Sequence, residues 1–127
     1  MKILEEDMGY DAKLDEDGVI SFNYEMKTIC VMTGDDPEPY VTMLYPQFCQ
    51  IKEGKETLVL TVCNKLTREL KLAKVYVDHT LENVTAECGF YFSGKKSLRL
   101  NIEKSLDILG VIRMLFRDNI DELSIDD

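Results

Sequence analysis

The chain has 127 residues, 45% of them hydrophobic and 31% charged, a size and balance that suit one domain with its own core. Its formal net charge is −9, and the acidity lies at the ends: residues 1–50 carry 3 basic and 11 acidic side chains, residues 51–110 carry 10 and 8, and residues 111–127 carry 2 and 5. A phosphate backbone would be repelled by the N-terminal part, so nucleic acid is not the expected partner, and no apolar run approaches the ~18 residues of a membrane span.

Residues 2–9 read as a short helix with Ile3, Leu4 and Met8 on one side and Gly9 at its end. The abrupt Glu5-Glu6-Asp7 after Leu4 excludes a secretory signal, so the expected location is the cytoplasm. Residues 11–14 are a candidate first strand, followed by the strong turn signal Asp15-Glu16-Asp17-Gly18. Residues 19–25 alternate, with Ile20, Phe22 and Tyr24 on one face; Met26-Lys27 reverses the chain. In residues 28–33, Cys30 and Met32 face away from Ile29 and Val31. Two prolines make residues 34–39 a loop. Residues 40–45 are the next strand, which Pro46 is expected to stop, leaving residues 46–54 as a loop.

A surface helix follows, running from about residue 55 to residue 71. Leu58, Val59, Val62, Cys63, Leu66 and Leu70 fall within an arc of roughly 140°, while Thr61, Asn64, Lys65, Thr67, Arg68 and Lys71 fill the other side. At residue 73 the period changes to two: Ala73, Val75 and Val77 face one way, Lys74, Tyr76 and Asp78 the other, as in a half-buried strand. A hairpin connection at residues 79–83 leads to the cleanest strand, in which Val84, Ala86, Cys88, Phe90 and Phe92 share a face. Residues 93–96 read as a turn and Asn101 as an N-cap. Residues 102–123 then form a long helix whose apolar residues spread over about 220°, more than a helix lying on a sheet needs. The surplus calls for a second cover: another helix, a second subunit or a bound segment. Strands grouped apart from helices predict an α+β fold, a two-layer antiparallel sheet with helices on one face, in the order α-β-β-β(-β)-α-β-β-α over one domain of residues 1–127, with 124–127 frayed.

Cys63-Asn64-Lys65-Leu66 in a helix, Leu72-Ala73-Lys74-Val75-Tyr76-Val77-Asp78 in a strand, then an alternating strand and a long closing helix resemble the YbjN-like family. Met8-Gly9-Tyr10, Val19-Ile20-Ser21-Phe22-Asn23-Tyr24 and Tyr45-Pro46-Gln47-Phe48 extend the likeness over residues 2–118. Members of that family are described as bacterial sensory transduction regulators, and its fold is similar to that of the type III secretion chaperones. The resemblance implies a non-catalytic cytoplasmic regulator or chaperone-like binder, a homodimer, with no catalytic residues to carry over.

The residues themselves offer little chemistry. His79 is the one histidine, it sits in a turn, and the partners a metal site needs are missing around it. Cys30, Cys49, Cys63 and Cys88 contain no Cys-x-x-Cys pair and read as reduced, mostly buried thiols; Cys63 on a buried helix face would be inert. Asn83-Val84-Thr85 is a glycosylation sequon without consequence in the cytoplasm. Asp15-Glu16-Asp17-Gly18 echoes a calcium loop, but its first and twelfth ligands would be Lys13 and Tyr24, so an ordinary hairpin turn is expected. Asp35, Asp36 and Glu38 form an acidic loop tip, by default solvated and otherwise a weak cation site. Asn64, at the edge of the buried arc, is expected to tie its helix to a neighbouring backbone. No catalytic residue, cofactor or metal is expected.

Two functions remain. The first is a protein- or peptide-binding regulator that docks through the surplus apolar face at Ile108, Val111, Ile112 and Leu115, with Lys65 and Arg68, in a basic row with Lys71, as a stripe for an acidic partner. The second is a small-molecule sensor with an apolar ligand between sheet and helices, lined by Phe90, Phe92, Met32 and Met43.

Overall fold

The computed structural model describes residues 2–33 and 39–124, so the acidic loop tip of Asp35, Asp36 and Glu38 lies outside the described residues. A helical turn at Ile3–Asp7 precedes strands β1 (Lys13–Leu14), β2 (Ile20–Tyr24), β3 (Lys27–Thr33) and β4 (Tyr40–Gln50). Helix α1 (Glu56–Glu69), strands β5 (Ala73–Val77) and β6 (Asn83–Tyr91) and helix α2 (Gly94–Ser124) complete the chain. The fold is α+β: the six strands form one antiparallel sheet in the order β1-β2-β3-β4-β6-β5, and the chain closes with a helix. α1 carries the chain from β4 to the far edge, and β6 returns between β4 and β5.

The register aligns the alternation of every strand. Ile20 pairs with Val31, Val31 with Met43, Met43 with Cys88 and Cys88 with Ala73, so one apolar row crosses the whole sheet. That face is buried, with Ile29, Met43, Val84, Ala86 and Cys88 fully enclosed. α1 packs against β5, and α2 against β6, β4 and β5. The opposite face carries Ser21, Asn23, Thr28, Cys30, Met32, Thr42, Glu87 and Lys74, none of them buried. On it Tyr40 lies over Gly89, where a Cβ would overlap the Tyr40 hydroxyl, and meets Tyr91 edge-on at 4.8 Å. At the free edge, the Thr67 hydroxyl of α1 accepts from the Val75 N–H at 2.9 Å and donates to the Val75 carbonyl at 3.1 Å. Two backbone groups that would otherwise offer a template to another strand are thereby occupied.

Local turns follow side-chain chemistry. Asp15 Oδ1 accepts from the backbone N–H groups of Asp17 and Val19, each at 2.9 Å, so this acidic stretch is a hairpin turn. Glu25 and Met26 take positive φ values of 49° and 67° at the β2–β3 reversal, a conformation that suits the sheet twist but strains residues other than Gly or Asn.

Three elements depart from the expectation. The N-terminal helix is a single wide turn in which the Met8 N–H reaches Ile3 O at 3.0 Å. β4 does not stop at Pro46 but continues to Gln50 through an irregularity. α2 starts at Gly94, so Asn101 is not its N-cap; it lies inside the helix and donates from Nδ2 to Tyr91 O at 3.3 Å. Ser-Gly-Lys-Lys reads as a turn because Gly94, at φ +86°, is indeed the turning residue, but helix follows it without a gap.

The surplus apolar face of α2 is mostly covered within the one chain. Ile102, Leu106, Leu109, Ile112 and Phe116 are buried, and Ile108, Leu115, Ile120 and Leu123 are half-buried against the same core. α1 supplies the second cover, and Gly110 lets α2 approach the Tyr24 ring, 3.2 Å from where a Cβ would stand. Only Leu100, Val111 and Met114 remain exposed on the outer side, at 53%, 42% and 49%.

Leu66 is 2% exposed and Leu60 56% exposed on the same helix, α1. Leu66→Ala should lower unfolding free energy by about 2–5 kcal/mol. Leu60→Ala should change it by less than about 0.5 kcal/mol, both read from urea midpoints.

Candidate binding cleft

The irregularity in β4 helps to build a cleft against α2. Tyr45 pairs with Ala86 and Cys49 with Val84, so residues 46, 47 and 48 face Thr85 alone. Such bulges re-aim side chains. Simple alternation from Tyr45 would send Phe48 to the open face of the sheet; instead it is buried under α2, 5.6 Å from the Phe116 ring and edge-on to it. Pro46 is tolerated there because a bulge relieves it of a ladder hydrogen bond.

A polar brace holds the bulge. Gln47 has φ +49°, and its N–H donates to Thr85 Oγ1 at 3.0 Å while its Nε2 donates to Asp78 Oδ2 at 2.9 Å. The Thr80 hydroxyl first, and then the Gln47 amide, hold the Asp78 carboxyl below its usual range, against a burial effect in the other direction. Asp78 is 8% exposed yet shallow, shielded chiefly by these partners. The turn beyond β4 is fastened by the Ile51 N–H to Glu82 O at 2.8 Å.

Between the end of β4, the turn into α1 and the second half of α2 lies a cleft of about 560 Å³. Phe48, Cys49, Val59, Phe116 and Ile120 form its apolar floor. Its rim carries Lys52 and Lys55 from the turn and Arg113 and Arg117, one helical turn apart, from α2. Asp121 is the one carboxylate among the lining residues. None of the four cations makes an ion pair within the described residues, whose salt bridges are Lys27–Glu25, Lys74–Glu87, Lys95–Asp7 and Arg99–Glu103. The start of α1 borders the cleft; Lys55 supplies no side-chain cap, and Glu56 in the first turn complements the positive end of the helix.

Burial pushes the Cys49 thiol above its usual value even though Arg113 and Lys52 pull it down, so it stays protonated near neutral pH. Burial pushes Cys63 and Cys88 up to about 11. The Ser105 hydroxyl lies beside Cys88 and moderates that rise, though the two do not meet hydrogen-bond geometry and Ser105 Oγ is left without a partner.

The residues singled out from the sequence are not brought together. Ile112 is 0% exposed and is removed as a docking residue, because sheet and helix enclose it completely. Ile108 and Leu115 pack against the core, and only Val111 is exposed. Lys65 is half-buried and donates to Asn119 Oδ1 at 2.6 Å, tying α1 to α2, while Arg68 is exposed in the last turn of α1. Asn64 is exposed and makes no side-chain hydrogen bond among the described residues; the tie to a neighbouring backbone expected of it is made by Thr67, to Val75. The proposed ligand lining separates too: Met43 and Phe90 are buried on the helix side, Met32 is on the open side, and the cleft borders none of these or Phe92. Among the described residues no three His, Cys, Asp or Glu side chains converge on a metal-sized site, and no helix is long and apolar enough to cross a membrane. The missed signal was Phe48-Cys49 and Ile51 beyond Pro46, strand-like residues where the proline suggested only a loop.

No protein-family model matches the chain, and no curated protein matches it in sequence.

Thr85 is 6% exposed, and replacing its hydroxyl orphans the Gln47 N–H. Thr85→Val should therefore lower stability by about 1–3 kcal/mol in urea unfolding, with Thr85→Ser close to wild type. The raised thiols make a second prediction. Their ordinary value is 9.0 and their folded value about 11, so the folded state favours the protonated form. Their stabilising effect is complete below pH 9 and is lost as pH rises toward 11, because the unfolded chain ionises first. Urea midpoints should fall across that window, and fall less steeply in Cys63→Ala/Cys88→Ala; the raised Cys30, Cys49, Tyr10, Tyr24 and Tyr76 contribute to the remainder.

Proposed function

We propose that this chain is a non-catalytic regulatory or chaperone-like module that binds a protein or peptide partner, with the cleft at Phe48, Arg113 and Arg117 as the contact. The observation that carries the reading is the rim of four cations, none of them in an ion pair among the described residues, over an apolar floor on a chain whose net charge is −9. Such a surface recognises: its thiol is held protonated, and Asp121 is the one carboxylate among its lining residues. The YbjN-like resemblance supports the same reading, with its chaperone-like fold, cytoplasmic location and homodimer. The pairing surface in that case is the outer side of α2, where Leu100, Val111 and Met114 are exposed.

A second reading has its own support. The cleft lies between the sheet and both helices, and about 560 Å³ falls within the range of small-molecule sites. A sensor would use this cleft in place of the one expected at Phe90 and Met43.

Affinity capture on three baits tests the first reading: wild type, Arg113→Glu/Arg117→Glu, and Val111→Asp. All three substituted positions are exposed, so the fold should be kept. Loss of partners from the double variant alone is expected. Equal recovery on all three baits would refute the cleft as the contact. Sedimentation of the Val111→Asp bait, expected to be monomeric, tests the pairing surface.

A further inference from the structure

Resting on that reading, we propose that the cleft takes a short acidic-apolar peptide segment: one large aliphatic or aromatic side chain flanked within a residue or two by carboxylates. The two halves of that description come from different parts of the site. Phe48, Val59, Phe116 and Ile120 line the floor, a surface that a bare inorganic anion would leave dry and unfilled. Lys52, Lys55, Arg113 and Arg117 stand around that floor from two separate elements, with no carboxylate paired to any of them among the described residues. These four cations outnumber Asp121, the one carboxylate that lines the cleft, and an anion among them relieves their mutual repulsion. The paired guanidinium groups of Arg113 and Arg117 suit carboxylates in particular, because each presents a planar fork that matches the two oxygens.

Size and long-range charge narrow the occupant. A volume of about 560 Å³ holds a large side chain with its adjoining backbone. Residues 1–50 carry 11 acidic side chains against 3 basic ones. At physiological salt, charges are felt over ~8 Å, so a short anion in the cleft responds to the rim, while an extended polyanion also meets the rest of a chain whose net charge is −9. Charge complementarity therefore selects a local cluster of carboxylates and disfavours a nucleic acid strand.

The test is a random heptapeptide library selected on the intact 127-residue chain, followed by fluorescence anisotropy on three synthetic probes. The probes are Glu-Asp-Phe-Asp-Glu, the same sequence with Ser for Phe, and the same sequence with Lys for every acid. The library should be enriched in acidic peptides with one large apolar residue. The first probe should bind about tenfold or more tightly than either of the others, and more weakly as salt rises. Arg113→Glu/Arg117→Glu should remove its binding, Arg113→Lys should keep part of it, and Ile120→Ser should weaken it at unchanged salt dependence. Enrichment of neutral or basic peptides that bind wild type and the double variant equally would overturn this inference and leave the peptide-binding reading standing. No enriched peptide at all would overturn both. Dodecanoate displacing the first probe and binding more tightly than any library peptide would overturn the peptide inference in favour of the sensor reading.

Discussion

Everything at the candidate site depends on three residues of β4 facing one residue of β6. A regular strand would carry Phe48 to the open side of the sheet, and the cleft would lose its floor. Holding Gln47 at φ +49° costs about 1–2 kcal/mol. Two hydrogen bonds, to Thr85 and Asp78, offset that by about 0.5–1.5 kcal/mol each. The local balance is near zero, so the decisive contribution is the burial of Phe48 among Tyr45 and Phe116, with ring centroids at 5.2 and 5.6 Å. The bulge persists because the aromatic side chain gains a dry environment that the open face does not provide.

The same joint explains the electrostatics. The turn that follows the bulge brings Lys52 and Lys55 beside α2, whose second half contributes Arg113 and Arg117. These cations come from the part of the chain where acidic residues are least in excess and from a helix whose tail is acidic. The result is a small positive basin on a strongly negative molecule. Elsewhere the molecule closes off its own association surfaces: Thr67 occupies the centre of the β5 edge, and α1 takes up apolar area on α2 that would otherwise seek another subunit. On α2 itself, Leu100, Val111 and Met114 stay exposed as a narrow outer stripe.

The strand faces were legible because burial on one side of a sheet imposes a period of two. Ile20-Phe22, Ile29-Val31 and Val84-Ala86-Cys88-Phe90 are buried as their alternation requires. The buried arc of α1 was legible for the corresponding reason at a period of 3.6: Val59, Val62, Cys63 and Leu66 are its buried residues. The width of the apolar arc on α2 correctly signalled a second cover, but its identity was not legible, since an apolar arc looks the same whether a helix of the same chain or another subunit lies on it. α1 lies on it, and Ile112 is therefore unreachable.

The sequence by itself thus determined the α+β class, the buried faces of β2, β6 and α1 and the acidic balance of the chain, because each depends on neighbours a few residues apart. Only the tertiary structure decided where Phe48 points, which helix covers α2, and that Lys52, Lys55, Arg113 and Arg117 share one rim. Those facts join residues some sixty positions apart through a bulge that no periodicity records, and a proline in its first position made the strand look finished.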